Sequence, residues 1–354
     1  MRHIIFGESH GPAIGVVLEG VPAGVNVDLD LIQHELARRA PGRNELSTAR
    51  KEADQVRILS GVFEGRTTGT PLCVVIENTD TRSRDYEKTK DLMRPSHADY
   101  TGRVRYGGHN DYRGGGHFSG RLTAPLVAAG AIAKLVLRER DIFVGAHIRQ
   151  IAGIGDSRID CVNGTIDRMA LKAVMDKPFP VFSDERGAAM QAAILSAKKE
   201  GDSVGGCVEC AVLGLPAGLG APDYGRNVEG IFAQQLFAVP AVKAVEFGIG
   251  RDFAALRGSE ANDPFALDEQ GRVVTTTNHT GGVNGGITNG MPVVCSVTIR
   301  PTPSIAKEQH TVDLAKGESA KLVIQGRHDP CIVHRAVPVV EAACALAACQ
   351  LAGL

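Results

Sequence analysis

The chain has 354 residues, 43% of them apolar, which is enough to build a sizeable core. A formal net charge of −1 gives no global basic field to draw nucleic acid or an anionic membrane. No apolar run approaches the roughly 20 residues that span a bilayer, and the N-terminal MRHIIFGESHG lacks the apolar core of a secretory signal.

In chain order, residues 7–27 read as short strands around a turn at Pro22–Ala23–Gly24. A helix follows, capped by Asp28 or Asp30, with Leu29, Ile32 and Leu36 as its apolar stripe and Ala40–Pro41–Gly42 as its stop. Arg39 extends the inward stripe, either as a buried charge that needs a partner or as a snorkelling arginine at a helix end. Residues 55–63 and 70–77 predict strands separated by EGRTTG. The polar stretch 78–116 holds two histidines and six arginines and is too long for a structureless connector. A second helix begins near Arg121, with Leu122, Leu126, Ala129, Ala133 and Val136 at helical spacing and Pro125 tolerable only in its first turn.

Ile142, Val144 and Ile148 carry the next strand. Helices are expected at 165–176 and 184–200, and strands near 207–213 and 243–250. Cys207 and Cys210 form a single C-x-x-C, but no second pair or histidine cluster completes a zinc site, so GCVECAVLGL is read as a strand. The eight cysteines lie mostly in apolar stretches and read as reduced core residues of a cytoplasmic protein. Residues 273–290 form a Thr/Asn/Gly loop, PVVCSVTIR a strand ending in the turn PTPS, and 337–352 a final apolar helix. No linker divides the chain, so residues 1–354 are read as one domain.

There is no G-x-G-x-x-G, no P-loop and no G-x-S-x-G. RGGGHFSGRLTA (113–124) offers another anion device: glycine N–H groups, a helix start and two arginines. The plainer reading is a glycine turn before a core helix. GESHG holds Ser9 and His10, RPSHAD sets His97 beside Arg94 and Asp99, and RHDPC holds Arg327, His328 and Asp329. A lone loop histidine is usually a solvated surface group, but imidazole beside glycine or arginine in three segments suits proton transfer. A phosphosugar kinase or phosphatase built on the 113–121 turn, and a flavin- or RNA-binding protein without chemistry, are the alternative classes. RNA binding sits poorly with 5% aromatics.

These segments, with ARRAPG, EADQVRILSGVFEGRTTGTP, IENTDTRSRDY, VAAGAIAK, GDSVGG, GLPAGLG, ALRGSE, NHTGGVNGGITNG and RPTPSI, resemble the chorismate synthase family in order and spacing. The resemblance runs from residue 6 to about 345. It implies an α/β (α+β) fold, a single-domain sandwich of helices between two antiparallel sheets, assembled as a homotetramer. It implies a lyase that uses reduced FMN (FMNH2) without net redox change to eliminate phosphate from 5-enolpyruvylshikimate 3-phosphate, needs no metal, and relies on an external flavin reductant, with NADP associated.

Carried over by position, His10 is similar to the acid that helps phosphate leave, His97 to the histidine that protonates reduced flavin, and Asp329 to the carboxylate near flavin N5. Ser9 and Ser119 match site serines, and Arg39, Arg121 and Arg327 match arginines that hold anionic groups. Flavin contacts carry over to His117, Phe118, Ser119, Ala241, Gly285, Arg300, Pro301, Thr302, Pro303, Ser304 and Arg327. The chain departs from the family at His117 and Phe118, at Arg300 (usually Lys) and at Glu45, where relatives place an arginine. Arg43 is the candidate to replace that cation, with Glu45 facing solvent or Arg50, and Arg38 is the next choice. The chain also begins about nine residues later than many relatives, so a short first strand is expected.

Overall fold

The computed structural model describes residues 1–42, 46–47, 54–79, 87, 90–159, 166–324 and 328–354. The first sheet is built from β1 (Arg2–Gly7), β2 (Ala13–Glu19), β3 (Val56–Ser60) and, beyond a small hairpin of β4 (Val62–Phe63) and β5 (Arg66–Thr67), β6 (Leu72–Glu77). Its order is β1-β2-β6-β3, antiparallel throughout. Alternation sends Ile14, Val16 and Leu18 of β2 and Leu72, Val74 and Ile76 of β6 to one buried face. The turn between β1 and β2 is at 8–12, a second turn falls at Ala23–Gly24 as the sequence suggests, and β1 pairs along all six of its residues.

Helix α1 (Leu29–Arg39) is capped by the Asp28 carboxylate, which accepts from Leu31 N at 3.0 Å. Ile32 and Leu36 face inward, whereas Leu29 is exposed, outside the stripe expected for it. Helix α2 (Asp99–Arg105) interrupts the long polar stretch, and α3 (Thr123–Arg138) carries Pro125 in its first turn. The second sheet contains β7 (Phe143–Ile151), β8 (Ile154–Gly155), β9 (Gly206–Leu213), β10 (Val242–Phe247) and β15 (Val293–Ile299), in the antiparallel order β10-β15-β9-β7-β8. Helices α4 (Arg168–Met175) and α5 (Asp184–Lys199) pack on β7, and α6 (Val228–Phe237) on β10. The remaining elements are α7 (Gly258–Ala261), the hairpins β11 (Phe265–Leu267)–β12 (Val273–Thr275), β13 (Val283–Asn284)–β14 (Ile287–Thr288) and β16 (Gln309–Asp313)–β17 (Glu318–Leu322), and α8 (Val333–Leu351).

The α+β architecture is a sandwich. α3 packs on β2 and β6 of the first sheet, α8 on β7 and β9 of the second, and α1, α3 and α8 on one another. α3 and α8 meet so closely at Gly130 that a Cβ there would lie 2.2 Å from Ala342 Cβ. The helix Gly120–Arg138 is long and apolar enough to cross a membrane, yet 89% of it is buried against the other elements, as a core helix is.

One ion cluster lies inside the helix layer. Glu341 of α8, fully buried, accepts from Arg38 at 2.7 and 2.8 Å, from Lys134 at 2.5 Å and from Ala146 N at 3.2 Å, with Glu35 beside Arg38 and Lys134. Burial alone would raise the Glu341 pKa, but the two cations hold it below the ordinary carboxylate value. The cysteine pair is structural. Cys207 and Cys210, three apart on β9, point to opposite faces, and burial pushes the Cys207 thiol up to about 12.

Candidate active site

Ser9 and His10 occupy the tight turn between β1 and β2, closed by Gly11 N donating to Glu8 O at 3.0 Å. Ser9 is fully buried and His10 is 9% exposed, with Ser9 Oγ 3.1 Å from His10 Nδ1. Asn78, just past β6, braces this turn. Its Nδ2 donates to Glu8 O and Gly11 O, both at 2.9 Å, and its Oδ1 accepts from Arg121 Nε at 3.0 Å.

The glycine turn 114–116 lies across it. Gly114, Gly115 and Gly116 have φ of 60, 93 and 52°, the left-handed region where glycine is at home. Ser9 N donates to Gly116 O at 3.2 Å. A Cβ on Gly114 would sit 2.1 Å from His10 Cε1, and one on Gly115 would sit 3.2 Å from His97 Nε2. Consecutive residues of one turn therefore touch both histidines, which are 87 positions apart in the chain (97 − 10).

His97 is held by Asp99 and Arg94. Its Nδ1 lies 2.7 Å from Asp99 Oδ1 and 3.1 Å from Arg94 Nη2. Arg94 is committed to the same carboxylate through Nη2 at 2.7 Å, Nε at 2.7 Å and its backbone N at 3.0 Å. The shorter, charge-assisted contact decides the tautomer: Nδ1–H donates to Asp99, and Nε2 faces the glycine turn. Burial would raise the Asp99 pKa, but the bonds from Arg94 and His97 hold it well below the usual carboxylate range.

Behind the turn, Asp54 joins two arginines. Arg39 Nη2 donates to Asp54 Oδ2 at 2.6 Å, and Arg121 Nη1 donates to Oδ1. All three residues are at most 5% exposed. The inward reading of Arg39 therefore holds over the snorkelling one. Its Nη1 also reaches Thr123 Oγ1 at 3.3 Å, and its Nε is buried with no hydrogen-bond partner. Burial, with Arg335 and Arg121 adding to it, pushes the Arg39 pKa down to about 10 despite Asp54. Asp329 accepts from Arg335 Nη1 at 2.7 Å, and Arg335 Nε donates to Arg39 O at 3.0 Å, so this carboxylate joins the same frame.

Ser119 begins the turn that leads into α3 and spends its Oγ on Arg121 N at 3.2 Å. Two expected flavin contacts have protein partners of their own: exposed His117 bonds Gly7 O at 2.9 Å, and Phe118 packs over Gly102 of α2 and near Tyr106. Arg300 N donates to Ala241 O at 3.0 Å, which puts Ala241 and the 300–304 turn together at the β10–β15 edge. Arg300 Nε and Thr302 Oγ1 are buried without partners. Pro303 O accepts from Gln309 of β16 at 3.5 Å, and β16 bonds Met93, one residue before Arg94, so this turn leads toward His97.

Gly285 sits in the β13–β14 hairpin, whose Gly286 O accepts from Val228 N at the start of α6. A cleft of about 530 Å³ beside it is lined by Asn284, Thr280, Asp263 and Phe265 among others. The 273–290 segment carries more regular structure than the loop its composition suggests. It carries β12 and the hairpin, and Asp263 accepts from His279 N, Thr280 N, Thr277 Oγ1 and Thr280 Oγ1. Arg43, Glu45, Arg50 and Arg327 lie outside the described residues. Arg38, the next choice, gives its guanidinium to Glu35 and Glu341.

Asp54, Asn78 and Arg335 are site residues that the motifs did not single out. The signal for Asp54 was present: an inward arginine at position 39 required a buried acid.

The sequence profile of the chorismate synthase family matches residues 1–352. The chorismate synthase of Thermococcus kodakarensis is 48% identical over 343 residues, covering 96% of this chain and 92% of that protein. That of Archaeoglobus fulgidus is 48% identical over 354 residues, covering 99% and 95%. A crystal structure of chorismate synthase superposes with a TM-score of 0.77 at 29% identity, covering 99% of this chain and 90% of that one.

Proposed function

The chain belongs to the chorismate synthase family and is a lyase of that kind, and from that premise we propose that residues 1–354 form one catalytic unit that removes phosphate from 5-enolpyruvylshikimate 3-phosphate beside bound reduced FMN. The observation that carries the residue roles is the meeting of His10 and His97 on consecutive glycines, with the arginine frame behind them.

The residues fit a flavin. Arg300 and Thr302 hold buried polar atoms without partners, as a ligand-binding turn does, and the glycine turn has no side chain to block a flat ring. Arg300, Thr302, Ala241 and the glycine turn would hold it, with Ser304 and Gly285 as further contacts. Reduced FMN, when bound, would supply the transient electron density that lets the allylic phosphate leave although the C6 hydrogen is not acidic.

The chain's own residues do the rest. His10 holds the proton that goes to the departing phosphate, and Ser9 Oγ fixes its ring through Nδ1. His97 presents Nε2 for proton exchange at the flavin, oriented by Asp99. Asp329, held by Arg335, takes up the carboxylate role beside flavin. Arg39 and Arg121 supply positive charge for a substrate with two carboxylates and a phosphate. Phosphate leaves C3, hydrogen leaves C6, and no net oxidation occurs. We further propose a homotetramer that acts in the cytoplasm with an external reductant for its flavin, NADP-linked as the family association suggests.

An anaerobic assay with protein, photoreduced FMN and substrate tests this reading. Chorismate should form without added metal. Undiminished turnover after flavin removal, or turnover lost to a chelator, would overturn it.

A further inference from the structure

Arg39 and Arg121 lie side by side and are both nearly buried. Burial, Arg335 and Arg121 all pull the Arg39 pKa down. The element between them is a single carboxylate. Asp54 gives one oxygen to each guanidinium, and its side chain has no exposure. Its backbone is set for this task, with φ of 47°, a left-handed conformation that Asp tolerates better than most residues. Gln33 of α1 donates to its carbonyl at 3.5 Å, so the residue that orients Arg39 is itself tied to the helix that carries Arg39. Arg121 in turn reaches Asn78, which braces the His10 turn.

We infer that Asp54 is a positioning residue for the reaction: its carboxylate holds Arg39 and Arg121 fixed relative to His10, so that the pair meets an anionic substrate as one preset unit. One negative charge between two positive ones leaves the trio net positive, so an anion is still attracted. Binding then requires no reorganisation of two long side chains. The inference rests on the proposed elimination reaction at this site. It also runs against simple charge counting. Deleting a carboxylate from an anion site should by Coulomb's law alone tighten anion binding, whereas a positioning role predicts weaker binding. The sign of the effect therefore decides.

The test uses Asp54→Asn, nearly isosteric and uncharged, and Asp54→Glu, charged but one methylene longer. Inorganic phosphate binding to the flavin-free protein is measured by calorimetry, alongside KM and kcat for the full reaction. Asp54→Asn should weaken phosphate binding about 10-fold or more and raise KM by a similar factor, with flavin affinity unchanged. Asp54→Glu should also raise KM, since the same charge one methylene further out cannot reach both guanidiniums in register. Unchanged or tighter phosphate binding in Asp54→Asn would overturn the inference. If that variant does not fold, wild-type KM in Asp54→Glu would overturn it instead. Wild-type protein that neither binds phosphate nor makes chorismate would refute the function itself, which separates that failure from this one.

Discussion

Asp99→Asn is the sharpest probe of how the site holds its protons. The Asp99 carboxylate accepts four hydrogen bonds, three from Arg94 and one from His97 Nδ1, all between 2.7 and 3.0 Å. An asparagine keeps the shape but replaces one acceptor oxygen by an NH2 group. Turned toward Arg94, that group opposes another donor and forfeits at least one charge-assisted bond, about 1.5–3 kcal/mol. Turned toward His97, it donates to Nδ1 and forces the proton onto Nε2. The second arrangement is cheaper, because it gives up one Arg94 bond, Nη2 to Oδ1, where the first gives up two, Nε and the backbone N to Oδ2, and it inverts the tautomer facing the glycine turn. The equivalent swap in a serine protease triad costs on the order of 10⁴-fold through the wrong tautomer. Here the ceiling is the loss of His97 itself, about 10²-fold or more for a general acid–base group. We expect kcat to fall by about 10²-fold with KM changed little. Single-turnover chorismate formation gives the rate, and ¹⁵N chemical shifts of His97 report the tautomer. A rate within about threefold of wild type, or an Nδ1–H tautomer that survives the substitution, would refute the reasoning.

His10→Ala should lower turnover by about 10²-fold while leaving the circular dichroism spectrum unchanged, and a near-normal rate would remove His10 from the mechanism. Asn78→Ala deletes the two bonds that brace the His10 turn and the one that orients Arg121, so kcat should fall although Asn78 touches no reacting atom; rates equal to wild type would show that the turn holds itself. Burial, and then Arg335, push the His334 pKa from 6.5 down to about 4, so the folded state refuses a proton that the unfolded chain accepts. Stability should therefore fall as pH drops from about 6.5 to 4, by up to about 3 kcal/mol. His334→Leu should flatten that slope in denaturant titrations, and an unchanged slope would sink the assignment.

The elements that could be read directly were those whose apolar period is unbroken. α3 and the strand at 293–299 are buried along most of their length, and their residue patterns say so. The β16–β17 hairpin escaped notice because QHTVD and ESAKL are polar strands with little buried surface. In the site, legibility followed sequence separation. His97 and Asp99 are two apart, and their pairing could be read from RPSHAD. Arg39 meets Asp54 across 15 positions, Arg121 meets it across 67, and Asn78 meets Glu8 across 70. Such pairings are created by tertiary folding; local spacing shows at most that an inward arginine needs an acid, not which acid. His117 and Phe118 illustrate the converse. Their positions match flavin contacts in the resemblance, and the structure adds partners that spacing did not suggest, Gly7 O for His117 and α2 for Phe118.

The order of the site depends on two adjacent arginines of α1 that diverge. Successive residues on a helix point about 100° apart, so Arg38 and Arg39 enter different networks. Arg38 joins Glu341 of α8, which also binds Lys134 of α3. Arg39 joins Asp54 and Thr123 at the start of α3, while Arg335 of α8 reaches back to its carbonyl. The same three helices are thus tied twice, once within the core and once at the site. A buried ion cluster is weak evidence for stability, since desolvation offsets most of its attraction. What the core cluster fixes is register: removing one partner leaves uncompensated charge, so α1, α3 and α8 resist sliding past one another. Arg39, Arg121 and the Arg335–Asp329 pair stand on those three helices or on the segments that lead into them, so their spacing is inherited from the core. That explains how a site built from glycine turns and loops can hold two histidines and a pair of arginines in fixed relation.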